Sequence, residues 1–444
     1  MRLRRGHFGD ARRKSRRRAA LLLTRAHGFS NCPIGPVKNH PCCAERDQAP
    51  DWHRPGIENL WRKPRSRSAW LELGIALCVG SDGSALAQST VYIPAVLELS
   101  GAGAVSGTNF RDGMLLAIDE INAKGGILGR KIDTPILDTQ SDAGISRAQV
   151  QKVLDNNPYV ILGPVFSGSV LVDMLLTQQA EIPEIVGGEA GAITQKGDPY
   201  VFRTSFGQQA SIPKIANYIR DGIKAKTIAI LWVNNDFGKG GRDAFMKEMA
   251  ARNIKVVGDV STESGQTDFS ADVVKLKATD ADAIFVYTNE EECARFLREA
   301  KKQGLNKPLI GETTLLSQKV IELAGDASNG IRGHVGLTVD APIPAVQEFS
   351  KKFQTRFNYI CDHNGIKGYT AVYFIKHVTE KMGKFDSKLF AETAHGLTIT
   401  PQQEPNILME VTWDKNGDID RQSFLGEVQN GKQEIVEILP KLGS

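Results

Sequence analysis

From residue 91 onward, short apolar runs alternate with longer stretches whose apolar positions recur at helical spacing. Residues 91–97, VYIPAVL, read as a strand, 100–107 as a loop of small residues, and 109–123 as a helix with Phe110, Met114, Ala117, Ile118 and Ile121 on one face. Gly125-Gly126 supplies a left-handed end to that helix. Pro94 is awkward inside a parallel strand because it offers no ladder donor. The alternation continues with strands at 132–137, 159–162 and 184–186 and helices at 146–154 and 169–179. A second set has helices at 212–222, 241–252, 269–278 and 291–303, and strands at 227–233, 255–260, 283–287 and 308–310. Alternating short apolar strands and helices predict parallel sheets covered on both faces. The fold class is therefore α/β, with two doubly wound lobes. Helices at 344–357 and 368–382 follow, and Asn416-Gly417 and Asn430-Gly431 lie between β-rich runs as hairpin turns.

Before residue 69 the pattern is absent, and the chain carries six prolines, a Cys42-Cys43 pair and most of the clustered arginines. The net charge of +4 comes from this leader and says little about the folded body. No aromatic platform or binding module accompanies the arginines, so no nucleic-acid partner is expected. Residues 60–87 run from a basic stretch through about a dozen apolar residues to Ala85-Leu86-Ala87, the order of a secretory signal with its cleavage site. The apolar stretch is too short to span a bilayer, which takes about 20 residues. Residues 1–59 read as an over-extended start, 60–87 as a signal peptide, and Gln88 as the mature N-terminus of a periplasmic protein. A twin-arginine signal at Ser15-Arg16-Arg17 is the rival reading, with a briefer apolar run.

The predicted mature chain keeps Cys293 and Cys361, which lie in different elements and are expected to be unpaired thiols. The turn 414–418, DKNGD, opens like a calcium loop but has Ile419 and Leu425 where the loop needs glycine and an acidic ligand. Gly238-Lys239-Gly240-Gly241 lacks the spacing and the hydroxyl residue of a phosphate-binding loop. The histidines show no metal-ligand spacing. No cofactor, no metal and no catalytic machinery are expected, and the chain does not read as an enzyme.

The stretches LELSGAGAVSGTNFRDGMLLAIDEINAKGGILGRKI, DTQSD, YVILGPVFSGS, FRTSFGQQAS and WVNNDFGKGG resemble the periplasmic leucine/isoleucine/valine-binding proteins that serve ABC importers, from about Val91 to the C-terminus. The resemblance implies a two-lobed clamshell with three passages between lobes, near Gln208, Val335 and Leu408. Lobe 1 would comprise 88–208 with 336–408, and lobe 2 would comprise 209–335 with 409–444. It also implies a monomer that takes an amino acid or related small carboxylate or amide by lobe closure and passes it to a membrane permease. A sensory module of the same fold is the alternative.

At Phe166, Ser167, Gly168 and Ser169 a strand leads directly into a helix, so free backbone N–H groups and the positive end of the helix dipole suit a carboxylate. The resemblance puts the amino acid's carboxylate there; the alternative is that the serines merely cap the helix. Gly188, Glu189 and Ala190 fall where relatives carry a ligand-contacting segment ending in threonine, and Ala190 lacks that hydroxyl. Phe237 falls where relatives close an aromatic over the ligand, with a core role as the alternative. Ser106, with Ala104 and Val105, replaces a larger aromatic and implies a roomier pocket. Glu312 aligns near the acid that takes the ammonium group, and Glu290 is the other candidate.

Overall fold

The computed structural model describes residues 89–442. The expected signal peptide and its cleavage site lie outside these residues. Two parallel sheets organise the chain. The first runs in the order Ile136–Asp138, Ala95–Leu97, Ile161–Leu162, Glu184–Val186, Val201–Arg203. The second runs in the order Lys432–Leu439, Ser423–Gln429, Arg332–Val335, Leu309–Gly311, Ala283–Tyr287, Thr227–Val233, Lys255–Thr262. Its first two strands are antiparallel to their neighbours and the rest are parallel. Central strands such as Ala283–Tyr287 are buried along their whole length because helices cover both faces.

Prolines reshape the first strands. The expected run 91–97 breaks at Pro94 into Thr90–Tyr92 and Ala95–Leu97, and its neighbour breaks at Pro135 into Lys131–Asp133 and Ile136–Asp138. The ladder carries on around the break, with Ile93 N donating to Asp133 O and Ala95 N to Pro135 O, each at 2.9 Å. Pro94 gives up only the donor it lacks, and its carbonyl accepts from Leu162 N.

In the first lobe, helices Ala104–Ala123 and His363–Met382 pack backbone to backbone. A Cβ on Gly113 would stand 1.9 Å from Gly365 O, and one on Gly368 would stand 2.1 Å from Phe110 O. Only glycine permits that approach. Cys293 and Cys361 are buried free thiols, as expected.

The chain changes hydrophobic cluster near Gln208, whose helix Gln208–Tyr218 packs in the second lobe, and between Val335 and Leu337. The third passage departs from expectation. Residues 411–420 stay with the first lobe: Val411–Trp413 joins Thr398–Ile399 and Ile419–Asp420 in a small antiparallel sheet. The Trp413 ring stacks on Phe374 at 3.9 Å, and its Nε1 donates to Arg203 O at 3.0 Å. Burial of that indole against the first lobe moves the crossing from Leu408 to Arg421 and Gln422, just before the second-lobe strand Ser423–Gln429. Both Asn-Gly turns form: Asn430 and Gly431 have φ of 50° and 75°, and Gly417 has φ 75°.

Three helices begin more than a turn earlier than their apolar periodicity indicates, at Ala104, Asp236 and His363, and a fourth begins slightly earlier, at Ser167. Their first turns are rich in Gly, Ser, Asn and Asp, which dilute the hydrophobic signal. The turns at Ala104, Ser167 and Asp236 follow the carboxyl ends of strands, where open α/β sheets collect ligands. Among the described residues, no helix is long and apolar enough to cross a membrane, and no group of three or more His, Cys, Asp or Glu side chains could hold a metal ion.

Candidate functional site

A cavity of about 330 Å³ lies between the lobes. Its first-lobe wall is the start of helix Ser167–Ala180. The two amides before the helix are taken: Val165 N and Phe166 N donate to the Glu98 carboxylate at 3.0 and 3.1 Å. The first intrahelical bond is Val170 N to Phe166 O, so the amides of Ser167, Gly168 and Ser169 have no intrahelical acceptor. They line the cavity at the positive end of the helix. Glu98 is wholly buried; burial pushes its carboxyl upward, while the two amides and the Ser169 hydroxyl pull it back. This stretch of the wall is thus a backbone feature braced from behind by one acid.

Ser167 makes no side-chain capping bond to its own helix. Its Oγ accepts from Glu189 N at 3.2 Å and Ala190 N at 3.1 Å, tying the helix start to the loop after strand Glu184–Val186. A Cβ on Gly168 would come within 2.9 Å of Asp236 Oδ2 on the opposite lobe, so glycine lets the lobes meet there.

The second-lobe wall is made of side chains. Glu290 is 5% exposed, and its Oε1 accepts from Ser106 Oγ at 2.9 Å and Asn364 Nδ2 at 3.2 Å, both on the first lobe. These bonds bridge the cleft and make this a closed arrangement. Burial raises the Glu290 carboxyl above the ordinary range, opposed by the Ser106 bond and the Lys367 charge. Half-buried Phe237 lines the cavity, stacked on Tyr287 with centroids 4.3 Å apart. That stack continues through Phe285 to Phe245.

Of the residues singled out in the sequence, Ser106, Phe166, Ser167, Gly168, Ser169, Glu189, Phe237 and Glu290 line this cavity. Gly188 and Ala190 do not. The Gly188 carbonyl accepts from Arg203 and Ser205, and the buried Ala190 carbonyl accepts from Arg203, so both belong to the support of the wall. Glu312 is also displaced from its expected place. Its carboxylate turns to His334 Nδ1 at 2.8 Å on the neighbouring strand and lines a separate small pocket, while Thr314 just beyond it lines the main cavity.

Sequence reading missed Lys367. Its Nζ pairs with Glu189 at 2.8 Å and donates to Asn364 Oδ1 at 3.1 Å, on the cavity wall. Asn364 and Lys367 sit in HNGIKG, the first turns of a helix whose apolar periodicity becomes visible only from residue 368. Two polar residues at i and i+3 ahead of an apolar helix were the available signal. Gln140 and Ser141 of DTQSD also line the cavity, both with positive φ.

The sequence matches the family described as "Periplasmic binding protein" over residues 90–433. A Leu/Ile/Val-binding protein of Rhizobium johnstonii is 27% identical over 346 residues, 76% of this chain and 91% of that one. A leucine-, isoleucine-, valine-, threonine- and alanine-binding protein of Pseudomonas aeruginosa is 27% identical over 325 residues, 70% of this chain and 84% of that one. Among solved structures, the branched-chain amino acid substrate-binding protein LivJ of Streptococcus pneumoniae, in complex with isoleucine, superposes with a TM-score of 0.72 at 23% identity, covering 79% of this chain and 100% of that one. A solute-binding protein from R. palustris in complex with benzoate gives the same TM-score at 20% identity, covering 80% and 98%. Parallel sheets facing each other across a cleft, two of the expected wall elements on that cleft, and a match along nearly all the described residues agree: the chain belongs to the periplasmic binding proteins, in the leucine/isoleucine/valine-binding family.

Proposed function

We propose that this protein is an extracytoplasmic receptor that takes up a free amino acid by lobe closure and delivers it to the membrane permease of an ABC importer. One observation carries the choice of an amino acid over a simple aromatic acid. The cavity offers an anion site, the bare amides of residues 167–169, and opposite it an acid, Glu290, held by Ser106 and Asn364 of the other lobe. The Lys367 ammonium is already paired with Glu189, so the walls bring two carboxyl groups and a single cation to the ligand. That arrangement suits a zwitterion and leaves a benzoate facing an unanswered acid. A ligand touching both walls favours the closed form by its differential contacts, which is how binding is turned into a shape the permease can read.

Isothermal titration with leucine, its deaminated analogue 4-methylpentanoate and benzoate tests this reading. Leucine should bind at least tenfold more tightly than either acid, and Glu290→Gln should weaken leucine but leave 4-methylpentanoate unchanged. Tighter binding of benzoate than of any amino acid would replace the amino-acid reading with an aromatic-acid one.

A further inference from the structure

Behind the Glu189–Lys367 pair lies an annexe of about 20 Å³, room for one water or the polar tip of a side chain. Glu189, His363 and Lys367 line both spaces, so the ion pair is the shared wall. All three passages between the lobes meet at the annexe: Thr204, Ser205 and Phe206 from the first, Gly336 and Leu337 from the second, and Arg421 from the third.

Four buried polar atoms of its lining have no hydrogen-bond partner among the described residues: Thr204 Oγ1, Glu312 Oε1, His363 Nδ1 and Arg421 Nε. Arg421 is 7% exposed and Glu312 is 3% exposed. The Arg421 guanidinium lies over the Phe206 ring, 5.6 Å from its centroid, and burial pulls it down to about 10. Leaving such groups unmet costs about 1–3 kcal/mol each, so their convergence on one small space marks a place where something polar is received. Arg421 can only donate, and the Glu312 carboxylate accepts. Thr204 can do either. A tip that carries both an acceptor and a donor answers this set, whereas an ammonium would face Arg421 and a carboxylate would face Glu312.

We propose that the annexe is a subsite for the end of the ligand's side chain, and that this side chain ends in a carboxamide: its carbonyl accepts from Arg421 and its amide group donates to Glu312. This rests on the reading that the main cavity holds the amino-acid end. The annexe, like the cavity, has walls on both lobes, so a ligand laid on the open first lobe runs its tip along the Glu189–Lys367 pair before the second lobe closes.

The test is calorimetric titration of the whole protein with glutamine and asparagine, each against an apolar amino acid of matched length, norleucine and norvaline. At least one carboxamide should bind ten times more tightly or better than its apolar match. Thr204→Val keeps the shape and removes a hydroxyl that has no partner within the protein, so thermal stability should hold while the preference falls at least threefold. Glu312→Gln should reduce the preference as well, with norleucine binding unchanged. Equal binding of carboxamide and apolar ligands, or a preference that both variants leave intact, overturns the subsite and makes the annexe a water site only. If no amino acid binds, the amino-acid reading itself falls, and the subsite with it.

Discussion

The two walls of the cleft do the same job with different materials. On the first lobe the cavity wall is centred on main-chain amides, fixed by the buried Glu98 and by Ser167, which holds the next loop through two more amides, with the Glu189–Lys367 pair beside them. On the second lobe it is made of side chains, Glu290 and Phe237, resting on an aromatic stack of Tyr287, Phe285 and Phe245. A backbone wall tolerates many side-chain changes but depends on its brace. A side-chain wall can be altered one residue at a time, and ligand choice is most easily changed there.

The comparison breaks most readily at Glu98. Glu98→Ala leaves two amides beside the anion site without their acceptor, at about 1–3 kcal/mol each, so a clear drop in the thermal midpoint and loss of binding for every carboxylate ligand are expected. Glu98→Gln keeps an acceptor and should recover part of the stability. A Glu98→Ala protein of parental midpoint would show that the wall needs no brace. Next in size is Ser167→Ala, which removes the bonds to Glu189 and Ala190. A loss of about 1–2 kcal/mol, or roughly fivefold to 30-fold in affinity, should appear in calorimetry for amino acids and deaminated analogues alike, since both carry the carboxylate.

Acidity probes the first lobe as a whole. Burial pushes Asp173 and Asp362 up to about 7 and holds Glu184 well above the ordinary carboxylate range. These groups keep protons in the folded chain that the unfolded chain has released, so stability should fall as pH rises from 5 to 7. His363 and His377, lowered by burial, act in the opposite sense below their unfolded value of about 6.5. Burial also raises Glu98, Asp198, Glu290, Glu312 and Asp418, so the acids outweigh the two histidines and stability should fall overall as pH rises through this range. Urea unfolding at pH 5, 6 and 7 measures it, and stability rising over that range would contradict the burial of these acids. The smallest effect belongs to the other wall. Phe237→Leu keeps an apolar cover but loses the stack on Tyr287, about 0.5–1.5 kcal/mol, and should weaken an apolar amino acid a few-fold with no change in the thermal midpoint beyond that scale.

Much of the fold was legible because strands such as Thr227–Val233 and Ala283–Tyr287, and helix Pro344–Phe357, carry their burial in their own apolar pattern. The strand–helix alternation settled two covered parallel sheets, and the small and hydroxyl residues of VFSGS marked the helix start that lines the cavity. Three-dimensional proximity decided the rest. Lys367 and Asn364 reach the cavity because glycines at 113, 365 and 368 bring two helices, some 240 residues apart in the chain, to backbone contact. Glu290 lines the main cavity and Glu312 the annexe because Glu312 is held by His334 on the neighbouring strand, a partner that no local pattern records. The third crossing follows Trp413, whose ring meets Phe374 of a distant helix only when the first lobe packs. Local periodicity reports which face of an element is buried, but the identity of what it is buried against is a long-range property, fixed when the elements pack.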